Sequence, residues 1–306
     1  MFPGQGSQQV GMGKELLTLY PELLIEKFEN TLGWSLEDIV SNGDEELIKK
    51  TNIAQPYIFA ISYCYGLETI KKIGKPKVGI GHSLGEYTAL TLANNLSYQD
   101  ALKIISVRGK AMQEAVENSN TTMAAVLTTD LKQTIRAINE LTIQGIGINI
   151  SNYNDSSQIV ISGTIEDVEY IKSAPKSIQA KRIIPLEVAG AFHSPTVSSA
   201  KVKVAEVIED IEFKEGDFTV YMNIDAKPMT TETVKSRLIN QIDNSVLFYD
   251  QILNIDKINS PDYWYHIGPG NVTVGMVKKS ISSKGDRKST RLNSSHSSVS
   301  RMPSSA

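Results

Sequence analysis

Apolar residues recur along this chain with two different periods. Ala101, Leu102, Ile104, Ile105, Val107, Ala111 and Met112 return every three or four positions, the spacing of one helix face, and Ser97 stands where such a helix is capped. A helix is therefore expected from there to about Asn118. Leu16, Leu17, Leu19, Leu23 and Leu24 give a looser helical period over 10–28, broken by Pro21, and a further helix fits 53–70 with Pro56 in its first turn. Between about 122 and 188 the period alternates. Strands are expected at 123–127, 146–150, 159–162 and 182–188, with helices at 131–141 and 165–174, the βαββαβ order of a ferredoxin-like subdomain.

Outside that stretch, a short apolar run at 77–80 meets a glycine-rich turn and then a helical segment, 84–93. Ser194-Pro195 is a helix start for the segment to Asp210. Residues 220–224 and 263–267 read as strands returning to a core. The fold class expected is α/β: a hydrolase-like core with a mainly parallel sheet, made from 1–121 and 189–283, and an inserted ferredoxin-like subdomain at 122–188. A cleft between the two is the natural site. The glycine loop Pro3-Gly4-Gln5-Gly6 follows only Met1 and Phe2, which leaves no room for the strand such a loop normally follows, so a truncated start is expected.

Composition narrows the classes. With 41% hydrophobic and 21% charged residues over 306 positions, the chain can build a globular core. In 284–306, eight of 23 positions are serine, too few apolar groups to offset the entropy of ordering, so a disordered tail foreign to the fold is expected there. The formal net charge is −3, and the tail holds Lys284, Arg287, Lys288, Arg291 and Arg301 against Asp286, so the body is more acidic still. That argues against nucleic acid as a partner. Cys64 stands alone, which excludes an internal disulfide and a cysteine-rich metal site and suits a reducing cytoplasm. No signal peptide or membrane-spanning apolar run is seen.

The candidate chemistry centres on Gly81-His82-Ser83-Leu84-Gly85. It matches G-x-S-x-G, in which small flanking residues allow a strained strand-to-helix turn that presents the serine hydroxyl. Two blander readings stand beside it: a turn whose serine only caps the next helix, and a dinucleotide-type glycine loop from Gly79 onward. A nucleophilic serine needs a base. His82 adjoins it and more naturally supports the turn, while His296 lies in the tail. His193, in a loop between a strand and a capped helix, is the first candidate, and His266, in an apparent strand, the second. No acid is evident to orient the imidazole, and a backbone carbonyl is an alternative. Arg108 falls on the apolar face of its helix, where a guanidinium requires an anion. A structural ion pair or a snorkelling side chain explains it as well as a grip on a substrate carboxylate does. Gln5, between glycines, can offer a backbone N–H.

Taken together, FPGQGSQ at 2–8, TNIAQP at 51–56, GHSLGEY at 81–87, RGKAMQEA at 108–115, NYNDSSQIVISG at 152–163, GAFHSP at 190–195 and IGPGNV at 267–272 resemble the malonyl-CoA:acyl carrier protein transacylase family. The resemblance spans roughly 2–281. It implies Ser83 as nucleophile, His193 as general base, Arg108 as partner of the malonyl carboxylate, and the N–H groups of Leu84 and Gln5 as an oxyanion hole. It also implies an imidazole oriented by a backbone carbonyl near the segment 244–247, and malonyl selectivity from Phe192. Malonyl-CoA and acyl carrier protein are the implied partners, with no metal or redox cofactor, no membrane, a monomeric state and a cytoplasmic location. Lys71, Lys72, Lys75 and Lys77, or Lys181 and Arg182, are candidates for meeting an acidic carrier. A serine esterase using the same turn, and a crippled fragment that only binds acyl-CoA or a partner, are the rival readings.

Overall fold

The computed structural model describes residues 1–282 and 291–294. The chain builds a mixed α/β structure with a parallel layer and a separate antiparallel sheet. In the parallel layer, β1 (Val78–Gly79) pairs with β6 (Thr219–Val220), and β7 (Tyr263–His266) pairs with β8 (Arg291–Ser294). The two pairs are joined by the first two residues. Phe2 N–H donates to the Ile80 carbonyl and Phe2 O accepts from His82 N–H, while Met1 O accepts from Ile267 N–H. Met1 and Phe2 thus hold a strand position, at a site the sequence left too short for one.

The helices that cover this layer bury the faces their periods mark. Tyr98–Val116 turns Ala101, Leu102, Ile104, Ile105, Ala111 and Met112 inward, and the Ser97 hydroxyl caps it by accepting Asp100 N–H. It packs on Thr51–Ile73 and on Ser199–Glu209. The helix expected over 10–28 is instead three short pieces, Lys14–Leu19, the π-helical Glu22–Lys27 and Phe28–Leu32. Pro21, with no N–H to donate, sits at the break. Leu36–Asn42, Glu45–Lys49, Val234–Gln241, Phe248–Asn259 and Val272–Ser282 are helices the apolar pattern did not mark.

The antiparallel sheet holds β2 (Thr121–Thr128), β3 (Ile148–Asp155), β4 (Gln158–Thr164) and β5 (Ala180–Pro185) in the order β3-β4-β2-β5. Helices Leu131–Ile143 and Ile165–Ser173 lie between its strands in the chain and close a separate apolar cluster around Val126, Ile138, Ile161 and Ile171. β5 ends at Pro185, short of the expected 188, and Glu187 beyond it is exposed and 3.3 Å from Lys49.

Of the stretch expected to be a disordered tail, only 291–294 lie among the described residues, as β8. The outer edge of β7 presents unpaired N–H and C=O groups, and Arg291–Ser294 adds to it in parallel register. The other tail residues, including His296, lie outside the described residues.

Candidate active site

Two glycines decide the shape of the turn after β1. A Cβ on Gly81 would fall 1.8 Å from the Gly85 carbonyl carbon, and one on Gly85 would fall 2.4 Å from the Phe2 carbonyl oxygen. Only glycine lets the chain fold back this tightly against the Met1–Phe2 strand. Ser83 between them sits at φ 52°, in the left-handed region that non-glycine residues rarely occupy. The helix Gly85–Leu92 follows at once, so the hydroxyl is held above the end of the parallel layer.

His193 is brought to it from a loop 110 residues on. Its Nε2 lies 2.8 Å from Ser83 Oγ, and its backbone too is left-handed, φ 54°. Its Nδ1 is 2.9 Å from the carbonyl oxygen of Gln241. A carbonyl can only accept, so Nδ1 carries the proton and Nε2 turns its lone pair to the serine hydroxyl, the tautomer a general base requires. Burial first, then the nearby Arg108 charge, pushes the His193 pKa down to about 3. The carbonyl that orients the ring is that of Gln241, at the end of a helix and just before 244–247, and the Asn244 backbone also favours the ring's charged form.

Arg108 is 1% exposed and reaches the same hydroxyl. Its Nη2 donates to Ser83 Oγ at 3.0 Å and to Gln241 Oε1 at 2.9 Å, and its Nη1 donates to Gln55 Oε1 at 2.5 Å. Those partners are neutral, and Nε has no hydrogen-bond partner, so a cation is buried with a donor to spare. The guanidinium also stands over the Tyr87 ring, 5.6 Å from its centroid.

Gln5, Leu84, Arg108, Phe192 and His193 line one cavity of about 270 Å³ around Ser83. The Gln5 side chain is tied by a hydrogen bond to Thr51 Oγ1, 3.1 Å away, which fixes the glycine loop over the serine. Across the cavity stand Asn152, Asn154 and Gln158 of the antiparallel sheet. His82 joins the two sides. Asn154 Nδ2 donates to Gln158 Oε1, so its Oδ1 faces His82, and His82 Nε2 donates to that oxygen at 2.9 Å.

The remaining candidates fall elsewhere. His266 is fully buried between Thr273 Oγ1 and the Pro269 carbonyl, outside the cavity. Lys75 and Lys77 border a second cavity, of about 350 Å³, that includes none of the Ser83 group. Among the described residues no cluster of three or more His, Cys, Asp or Glu side chains could hold a metal, and no helix is long and apolar enough to cross a membrane. Cys64 is buried and free, and burial raises its thiol pKa well above the usual range.

Sequence reasoning missed Gln241 and Asn223. Asn223 Oδ1 accepts Ser83 N–H at 2.8 Å, and Gln241 Nε2 donates to the Ser83 carbonyl at 2.9 Å, so both main-chain groups of the strained residue are held. The signal available was weak: Asn223 follows the apolar Val220-Tyr221-Met222, and Gln241 stands among other polar residues, both far from any motif.

Comparison with known proteins gives one answer. Residues 1–295 match the acyl transferase domain family. A malonyl CoA-acyl carrier protein transacylase of Bacillus subtilis is 38% identical over 283 residues, covering 91% of this chain and 89% of the relative. Among solved structures, a malonyl-transacylase in complex with a type II polyketide acyl-carrier protein superposes with a TM-score of 0.85 at 34% identity, covering 96% of this chain and 93% of that one. The malonyl CoA-acyl carrier protein transacylase of Coxiella burnetii superposes with a TM-score of 0.87 at 27% identity, covering 96% and 92%.

Proposed function

The chain belongs to the acyl transferase domain family, and from that premise we propose that it moves a malonyl group from malonyl-CoA to the phosphopantetheine thiol of an acyl carrier protein, through an ester on Ser83. The observation that carries this reading is the double engagement of one hydroxyl, by a neutral imidazole at 2.8 Å and by a buried guanidinium at 3.0 Å.

The malonyl carboxylate takes the open donors of Arg108, which places the thioester carbonyl over Ser83. His193 Nε2 removes the hydroxyl proton as Oγ attacks that carbon. The tetrahedral oxyanion is met by the N–H groups of Leu84 and Gln5, each worth about 3 kcal/mol of transition-state stabilisation. The C–S bond breaks, and the coenzyme A sulfur leaves with the proton from the imidazolium. The carrier thiol then gives its proton to His193, attacks the ester, and the serine oxygen recovers that proton. Phe192, 6% exposed against the same cavity, fills the space a branched acyl group would need. Every step uses this chain's own groups and the two thiols. The expected monomeric state and cytoplasmic location belong with this reading.

The finer fold reading, a hydrolase-like core carrying a ferredoxin-like insertion, is supported by the strand-turn-helix around Ser83 and by the order β3-β4-β2-β5. Incubation with malonyl-CoA and intact-mass measurement tests the chemistry. One malonyl adduct is expected, absent in Ser83→Ala and discharged by a carrier thiol. Discharge to free malonate at the same rate without the carrier would make the enzyme an esterase.

A further inference from the structure

One buried ionisable side chain beside Ser83 has no task in this mechanism. Glu86 lies in the first turn of the elbow helix and is fully buried. Its Oε1 accepts Asn223 N–H at 2.6 Å and its Oε2 accepts Gln241 Nε2 at 2.7 Å. These are the two residues that hold the main chain of Ser83. Gln241 also accepts Arg108 Nη2 on its Oε1, so a single side-chain amide separates the guanidinium from the carboxyl. All the hydrogen-bond partners of Arg108 are neutral, which makes Glu86, one amide away, the acid that answers its charge.

We propose that Glu86, when ionised, is the counter-charge of Arg108 in the empty site, coupled through the Gln241 amide, and that its carboxylate then competes with the malonyl carboxylate for the one guanidinium. Glu86 is thus a positioning residue, acting through Gln241 and Arg108, and the proposal rests on the malonyl reading above. Two anions cannot share one buried cation without cost. Malonyl binding is favoured when Glu86 holds a proton, and above its ionisation the site must take one proton from water as the carboxylate enters.

Other groups around Glu86 set where this happens. Burial, which outweighs the other influences, and Asp225 in the loop after β6 raise its pKa, whereas the two hydrogen bonds and Arg108 lower it; the outcome is about 8. Asp225 is itself 3.0 Å from Arg237. Tyr87, on the same helix, is kept neutral by burial. His193, on the far side of Arg108, is neutral throughout this range. The packed helix Thr51–Ile73 contributes to Arg108 only the neutral Gln55.

The test is the rate of Ser83 acylation, read by intact mass, with malonyl-CoA and with acetyl-CoA from about pH 7 to about pH 9. The two donors share the coenzyme A phosphates and the thioester, so the ratio of their kcat/KM values isolates the carboxylate. In the wild type that ratio is expected to fall about fivefold or more across the range. In Glu86→Gln it is expected to stay level at the low-pH value, even if the lost acceptor slows both donors alike. A wild-type ratio that does not change with pH overturns the assignment without any variant, and so does a Glu86→Gln protein that keeps the fall. If malonyl-CoA leaves no Ser83 adduct at any pH, the acylation reading fails and this one with it. A malonyl adduct with a level ratio removes only the role of Glu86.

Discussion

Arg108 separates a substrate contact from a structural one. The carboxylate grip proposed for it is absent for an acetyl donor, so Arg108→Ala is expected to lower kcat/KM for malonyl-CoA by about a hundredfold more than for acetyl-CoA. Equal losses would reduce the arginine to packing. The pH profile follows from His193. Its pKa falls from 6.5 in the unfolded chain to about 3 in the fold, so as pH drops the unfolded chain takes the proton first. The stability that depends on the neutral ring is therefore present above about 6.5 and is lost as the pH falls toward 3. For the same reason kcat/KM is expected to stay level between about pH 5 and about pH 7, and an acidic limb near 6.5 would mean an imidazole open to water. At this scale Ser83, His193 and Arg108 were legible, because a tight glycine turn, a loop position and a helix face each leave a local mark. Gln241, Asn223 and Glu86 were not: their importance lies in whom they touch across 18 to 155 residues of chain.

The elbow carries the closest tolerances of any element. Gly81→Ala would drive a methyl group into the Gly85 peptide, and a loss of about 3 kcal/mol or more is expected in thermal or chemical denaturation, together with loss of Ser83 acylation. Ser97→Ala touches only a helix cap remote from the cavity, and it is expected to cost about 1 kcal/mol with acylation intact. The helices Thr51–Ile73 and Tyr98–Val116 were readable because packing rewards the same face at every turn. The helices Leu36–Asn42 and Glu45–Lys49 announce themselves by their caps, Ser35 and Asp44, and are too short for a period to emerge. β1 and β6 are two residues each, so their existence is decided by neighbours in space. Met1 and Phe2 show the same effect, since two residues become strand when partners stand on both sides.

Across the whole molecule, the antiparallel sheet is not tethered to the core by its connections alone. Tyr153 N–H donates to the Val246 carbonyl, Val246 N–H donates to Ser151 O, and Ser245 Oγ donates to Ile150 O. Ser151 Oγ bonds the Phe192 carbonyl, next to His193, and His82 bonds Asn154. These buried links across the cleft predict one cooperative unfolding transition, seen as coincident midpoints from probes placed in each sheet. Two separated midpoints would mean that the sheets are independent bodies. The alternating period of 122–188 marks the strands of the antiparallel sheet but not this seam, because its bonds join positions far apart in the chain and two of them use main-chain groups that every residue carries. One further result follows from the position of Gln241. Its peptide oxygen orients the His193 ring, and its side-chain amide meets the Ser83 main-chain carbonyl, the guanidinium and the buried acid. Affinity for the acyl chain and turnover therefore share a common hinge pin. A designer who redirects Arg108 toward a different acid should expect the base to drift as well, and will have to retune both ends together.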